Sequence, residues 1–137
     1  MNVNSQDRDT TKDVVEDFYA AFLRGDADAM LSMMSETVEV RFLAQADLKG
    51  ISHAREFFAF SGGLLSDLEF RIHEQIFDGE WAATIWTESG KVSATGRSWT
   101  NHGVDLIRVE EGRVTVVHEN NDVRLVSEHL PKYEFGG

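Results

Sequence analysis

Residues 14–40 read VVEDFYAAFLRGDADAMLSMMSETVEV, and the change of period along this run decides the fold. Val14, Val15, Phe18 and Phe22 recur at three- and four-residue spacing, which builds one apolar stripe along a helix. Thr10 and Thr11 supply hydroxyls for its start, with Asp13 three positions after Thr10, and Gly25 stops it. Asp26 then caps a second, shorter helix through ADAMLSMM. At Thr37–Phe42, TVEVRF, the period falls to two and β-branched residues take over, so a strand follows.

Downstream, ISHAREFFAF from Ile51 predicts a third helix with Ser52 as cap and Phe57, Phe58 and Phe60 as buried anchors, ended by the SGG at 61–63. From Asp67 onward strands alternate with glycine turns at 78–79, 89–90 and 110–112, an antiparallel meander. The segment from Lys91 to Val109 would extend about 60 Å at roughly 3.3 Å per residue, too long for one flat strand in so small a domain. It must bend, and Gly96 and Gly103 are the expected kink or bulge sites. Helices first and a long bent meander second predict an α+β fold whose sheet curls around the helices. A single domain over 1–137 is expected, with flexible ends at 1–8 and 132–137.

The composition narrows the function classes. Thirteen basic against twenty-four acidic residues give a net charge of -11, which repels phosphate backbones and anionic lipid, so neither nucleic acid nor a membrane is an expected partner. The absence of cysteine excludes disulfides, thiolate nucleophiles and cysteine-ligated metals. MNVNSQDRDTTKD lacks the apolar centre of a secretory signal, and no apolar run approaches the roughly 18 residues of a membrane span, so a cytoplasmic location is expected.

Near the end, TVVHENNDVRL (115–125) interrupts a strand with five consecutive polar residues, His118 to Asp122. Strand alternation puts Val117, Glu119 and Asn121 on one face and Val116, His118 and Asn120 on the other. If one set faces a core, its polar groups need partners. His118 and Glu119 point to opposite faces, which argues against a shared metal, and no metal or other cofactor is expected.

The order VVEDFYAAFLRGDADAMLSMMSETVEV, GISHAREFF and ATGRSWTNHGVDLIRVEEGRVTVVHENND resembles the nuclear transport factor 2-like superfamily, over residues 11 to 126. Within it the ketosteroid isomerase, SnoaL-like polyketide cyclase and limonene epoxide hydrolase branches are most similar. The resemblance implies a cone-shaped α+β barrel of the cystatin-like kind: three N-terminal helices packed on a strongly curved, mostly antiparallel sheet, a deep apolar pocket inside, and a homodimer formed through the outer sheet face. It also implies that the last strand lines the pocket on alternate residues. By position, Asp105 in VDLIRV matches the isomerase branch's pocket carboxylic acid, and Glu119 matches the aspartate base of the epoxide hydrolase branch. The isomerase's tyrosine falls on Phe18 and its aspartate base on or next to Arg41 and Phe42, so neither is kept; Tyr19 would point about 100° away around the helix.

Two carboxyls in one low-dielectric cavity push their proton affinities apart, so Asp105 and Glu119 are the expected acid and base. Such a pair suits isomerisation, ring closure, dehydration or epoxide hydrolysis of an apolar oxygenated molecule. Asn101, His102 and Asn121 would orient a substrate oxygen, and Phe18, Phe22, Trp86 and Trp99 would supply the apolar walls. The rival expectation is a module of the same fold that holds a small hydrophobic ligand or a protein partner without catalysis.

Overall fold

The computed structural model describes residues 5–134. Helix α1, Ser5–Leu23, begins upstream of the hydroxyl pair expected to start it. Residues 5–9 contain nothing apolar, so hydrophobic periodicity is silent there, yet none of them breaks a helix. Thr11 is instead buried inside the helix, and its Oγ1 donates to the Gly79 carbonyl at 2.8 Å. Gly25, at φ 71°, ends α1, and Asp26 accepts from the Ala29 amide at 3.0 Å to cap α2, Ala27–Ser32.

Strand β1, Met34–Phe42, turns through 43–45 into the short β2, Ala46–Lys49, and helix α3 follows at Ile51–Ser61. The expected cap at Ser52 is displaced: Gly50, at φ 98°, carries the chain straight from β2 into the helix, and no side chain caps it. Four longer strands complete the sheet: β3, Leu65–Asp78; β4, Trp81–Val92; β5, Ser98–Glu110; and β6, Arg113–Asn121. Their order is β2-β1-β6-β5-β4-β3, antiparallel throughout except where β1 runs parallel to β6. The sheet wraps α1, which touches β3, β4, β5 and β6 together, but it stays open at β2 and β3 and does not close into a barrel. Val15, Val38, Val40, Phe57, Ile107 and Val114 form the centre of the core between helices and sheet.

Three glycine assignments change, and the segment from Lys91 to Val109, expected to be one bent strand, is divided by a turn that uses Gly96. Ser89–Gly90 lies inside β4, and the reversal falls at 93–97, where Gly96 takes φ 74°. Gly90 is small for another reason: β3 bulges across it between Ser66 and Glu69, and a Cβ at Gly90 would stand 2.7 Å from the Ser66 carbonyl oxygen. Gly103 is neither kink nor bulge, since Trp86↔Gly103↔Asn121 pair in register; the β5 irregularity lies at Arg108/Val109. The Trp86 indole occupies the place of its side chain, 2.5 Å from where a Cβ would sit.

A fourth helix joins the three expected ones. Asp122 accepts from the Leu125 amide at 3.3 Å and starts α4, Val123–His129, which buries Val126 against Val92 and Trp99. Of the ends expected to be flexible, residues 5–8 are helical, and Tyr133 is docked by its amide on the Gln45 carbonyl at 3.0 Å and by its ring against Phe57 and Phe60. Residues 1–4 and 135–137 lie outside the described residues.

Candidate functional site

Because side chains alternate along each strand, one register fixes what the concave face presents. The pairs Val40↔Val117 and Phe42↔Glu119 put Glu119 on the side of the buried valines of β1, and Asp105↔Glu119 puts Asp105 beside it. The polar run of β6 is thereby divided. Val117, Glu119 and Asn121 face inward, whereas His118 faces out and meets Glu39 at 3.4 Å.

Asp105 accepts twice, from Tyr19 Oη at 2.7 Å on Oδ2 and from Trp86 Nε1 at 2.9 Å on Oδ1. Glu119 accepts once, from Asn121 Nδ2 at 2.8 Å, and the same amide group donates to the Leu43 carbonyl at 3.2 Å. Cross-strand neighbours stand about 5 Å apart at Cβ. Two carboxylates at that separation repel by about 3 kcal/mol at an effective dielectric constant near 20, so they do not both ionise at neutral pH. Burial lifts the Asp105 carboxyl to about 7, the hydrogen bonds from Tyr19 and Trp86 opposing that rise. Glu119 is raised well above the usual carboxylate range by burial and then by Asp105, against a single opposing hydrogen bond. Two donors on the Asp105 carboxyl against one on that of Glu119 favour Asp105 as the member of the pair that carries the charge. A third inward carboxyl, Glu88 of β4, accepts from Trp99 Nε1 at 3.0 Å and is raised by burial. Tyr19 is pushed up by burial and by the neighbouring Asp105, and stays a phenol that donates.

A cavity of about 370 Å³ opens between α1, α3, α4 and the sheet. Phe22, Phe42, Phe58, Phe70 and Trp99 supply much of its apolar wall. Glu88 and Glu119 are the only charged side chains on that wall among the described residues, joined by the amides of Gln45 and Asn101.

Of the expected site residues, Phe22, Trp99, Asn101 and Glu119 line this cavity and five do not. Asp105 lies behind the wall, in contact with Glu119's strand and with Tyr19 and Trp86. Phe18 points into the helix–sheet core. Trp86 is covered, its ring over Gly103 and stacked on Phe70 at 5.4 Å. His102 is exposed on the convex face, opposite Thr87, because it is one residue out of phase with Asn101 and Gly103. Asn121 sits behind Glu119, its amide nitrogen committed to Glu119 and Leu43. The sequence reading missed the part played by Tyr19: the helix wheel turns it from Phe18, but a helix enclosed by a concave sheet buries both neighbours. Glu88 meets the epoxide hydrolase branch's pattern on this strand only in part and is not among the expected site residues, although its alternation with Trp86 is readable; Gln45, which no periodic pattern marks, was missed.

A sheet open at both edges, wound around one helix and carrying inward carboxyls beside an apolar hollow, defines a nuclear transport factor 2-like fold, and solved structures agree. An NTF2-like protein from Burkholderia xenovorans LB400 superposes with a TM-score of 0.76 at 20% identity, over 95% of this chain and 100% of its own. A protein from Jannaschia sp. CCS1, provisionally named a SnoaL-like polyketide cyclase, gives 0.81 at 15% identity over 95% and 97%. TerC, co-crystallised with polyporic acid, gives 0.76 at 20% identity over 88% and 97%. No curated protein matches the chain. The SnoaL-like domain family matches residues 15–117, and the chain belongs to that family.

Proposed function

We propose that the protein is a cofactor-independent acid/base enzyme acting on an apolar oxygenated small molecule. The observation that carries this reading is the pair of carboxyls, Glu88 and Glu119, on the wall of an otherwise apolar cavity with no cation beside them among the described residues. Their environments differ. Glu119 lies next to a second buried acid, which together with burial favours its protonated form, whereas Glu88 is raised by burial against the hydrogen bond from Trp99. Groups set apart in this way divide the roles of general acid and general base. Glu119 gives a proton to a substrate oxygen, Glu88 takes one from carbon or from water, and Asp105 acts through Glu119 by setting its proton affinity. Isomerisation, ring closure, dehydration and epoxide opening all fit this inventory. The existence of a fold relative crystallised with an organic acid supports a small-molecule occupant.

The test is turnover of a panel of apolar ketones, epoxides and polyketide-like compounds, followed by mass spectrometry. Glu119→Gln and Glu88→Gln are each expected to lower kcat by at least about 10²-fold with the fold intact by circular dichroism. The pH profile should be a bell, rising as Glu88 ionises and falling as Glu119 does. Asp105→Asn should move the alkaline limb to lower pH, since a neutral neighbour no longer holds Glu119's proton in place. Tight binding without turnover across the panel would instead assign the cavity to a binding module.

A further inference from the structure

Gln45 lines the cavity, is only 5% exposed, and its Nε2 is buried without an acceptor. Glutamine is seldom so buried, and a buried amide without a partner destabilises a fold unless something else fills its hydrogen bond. Its backbone is fully engaged: the amide donates to the Phe42 carbonyl at 2.9 Å and the carbonyl accepts from Tyr133 at 3.0 Å. The turn that carries it is fastened to the catalytic strand, because the Leu43 amide donates to the Glu119 carbonyl at 3.2 Å and Asn121 Nδ2 donates to the Leu43 carbonyl. The residue is thus held in place at the Glu119 end of the cavity, with its Nε2 enclosed and without an acceptor, so a ligand reaches that amide by rotation of its terminal bond.

A second amide on the same wall is arranged likewise. Asn101 is 3% exposed, and its Oδ1 accepts from both the His102 amide at 2.8 Å and the Asp122 amide at 3.3 Å. Both acceptor positions of that oxygen are used, which fixes the amide plane, and among the described residues no group accepts from Nδ2. Asp122 directly follows Asn121, so both amides flank the C-terminal end of β6.

We infer that Gln45 and Asn101 form a subsite for an uncharged acceptor oxygen of the ligand, a ketone carbonyl in the first instance, and hold it at the Glu119 end of the cavity. The inference rests on the reading of the cavity as a small-molecule site. Two N–H donors with no competing acceptor favour a carbonyl over a hydrocarbon edge, and the carboxyls on the same wall disfavour a carboxylate ligand.

The experiment compares 1-tetralone with tetralin, its counterpart lacking the oxygen, on the full chain. Binding is followed by the 15N side-chain amide signals of Gln45 and Asn101, assigned by their loss in Gln45→Met and Asn101→Leu, and by the Trp99 indole signal. Tetralone is expected to shift both amide signals and the indole, tetralin the indole alone. Tetralone should bind about tenfold more tightly than tetralin, and Gln45→Met should erase most of that preference while leaving tetralin affinity unchanged. Because Met fills a similar volume without an orphan amide, the unliganded variant should melt no lower than the parent. Tetralone that shifts the indole but neither amide, or a Gln45→Met protein that melts lower, overturns the subsite and leaves the enzyme reading intact. If neither compound shifts any cavity signal, both readings fall.

Discussion

Tyr19 and Trp86 both donate to Asp105, so its ionised form is the better hydrogen-bonded one even though burial opposes ionisation. The sign of the pH effect follows. The unfolded chain releases this proton near 3.8 and the folded chain near 7, so the associated stability is complete below pH 3.8 and is lost as pH rises through 7. Asparagine mimics the neutral acid. Asp105→Asn should therefore nearly match the parent in urea midpoint at pH 4 or below, pull ahead from pH 5, and exceed it at pH 8 by an amount on the order of 4 kcal/mol for a shift of this size. A difference that stays constant with pH would show that Asp105 is ionised throughout. Asp105 and Glu119 were legible in the sequence through the family resemblance and strand alternation, but which of them meets the cavity was not. That depends on how tightly the sheet curls behind Glu119, a property of the whole sheet rather than of either residue.

At the scale of elements, Gly103 links strand packing to the acid site. Gly103→Ala would put a methyl 2.3 Å from the Asn120 carbonyl oxygen and 2.5 Å from the Trp86 ring, so both β6 and the indole must shift. A cost of about 1–3 kcal/mol is expected from overpacking alone. Because the same indole donates to Asp105, the displacement should also raise the Asp105 carboxyl above 7 in a carbon-13 titration. An alanine variant with unchanged stability and titration would mean the indole is not fixed there. The opening helices, the glycine stop before Asp26 and the final hairpin were readable because each carries its own local signal: a stripe, a cap, a turn. The turn at 93–97 was not, since Gly90 imitates a turn residue while serving a close backbone approach. Helix α4 left a signal that was passed over, with Asp122 as cap and Val123, Val126 and Leu130 on one stripe.

At the scale of the molecule, the two sides of the sheet differ in kind. The concave side holds the carboxyls, and the convex side exposes Ile76, Trp81 and Leu106, with Ile85, Val104 and Val116 half-buried nearby. The family resemblance implies pairing through this convex face. If two copies pair there, Leu106→Glu should shift the protein to monomer in sedimentation velocity, because a self-complementary patch carries the new charge twice. An unchanged distribution would place any self-association elsewhere. The open edge raises a different matter, the control of unwanted assembly. At 14 residues β3 is long enough to template a foreign strand, since an unpaired edge offers a row of free amides and carbonyls. Its two irregularities, between Ser66 and Glu69 and between Ile72 and Glu74, break that row into short, differently aimed pieces, with Asp67 turned to φ 53° at the first. Glu69, Arg71 and Glu74 add charge along it. The bends that let the sheet wrap a helix thus also make its border a poor seed for aggregation.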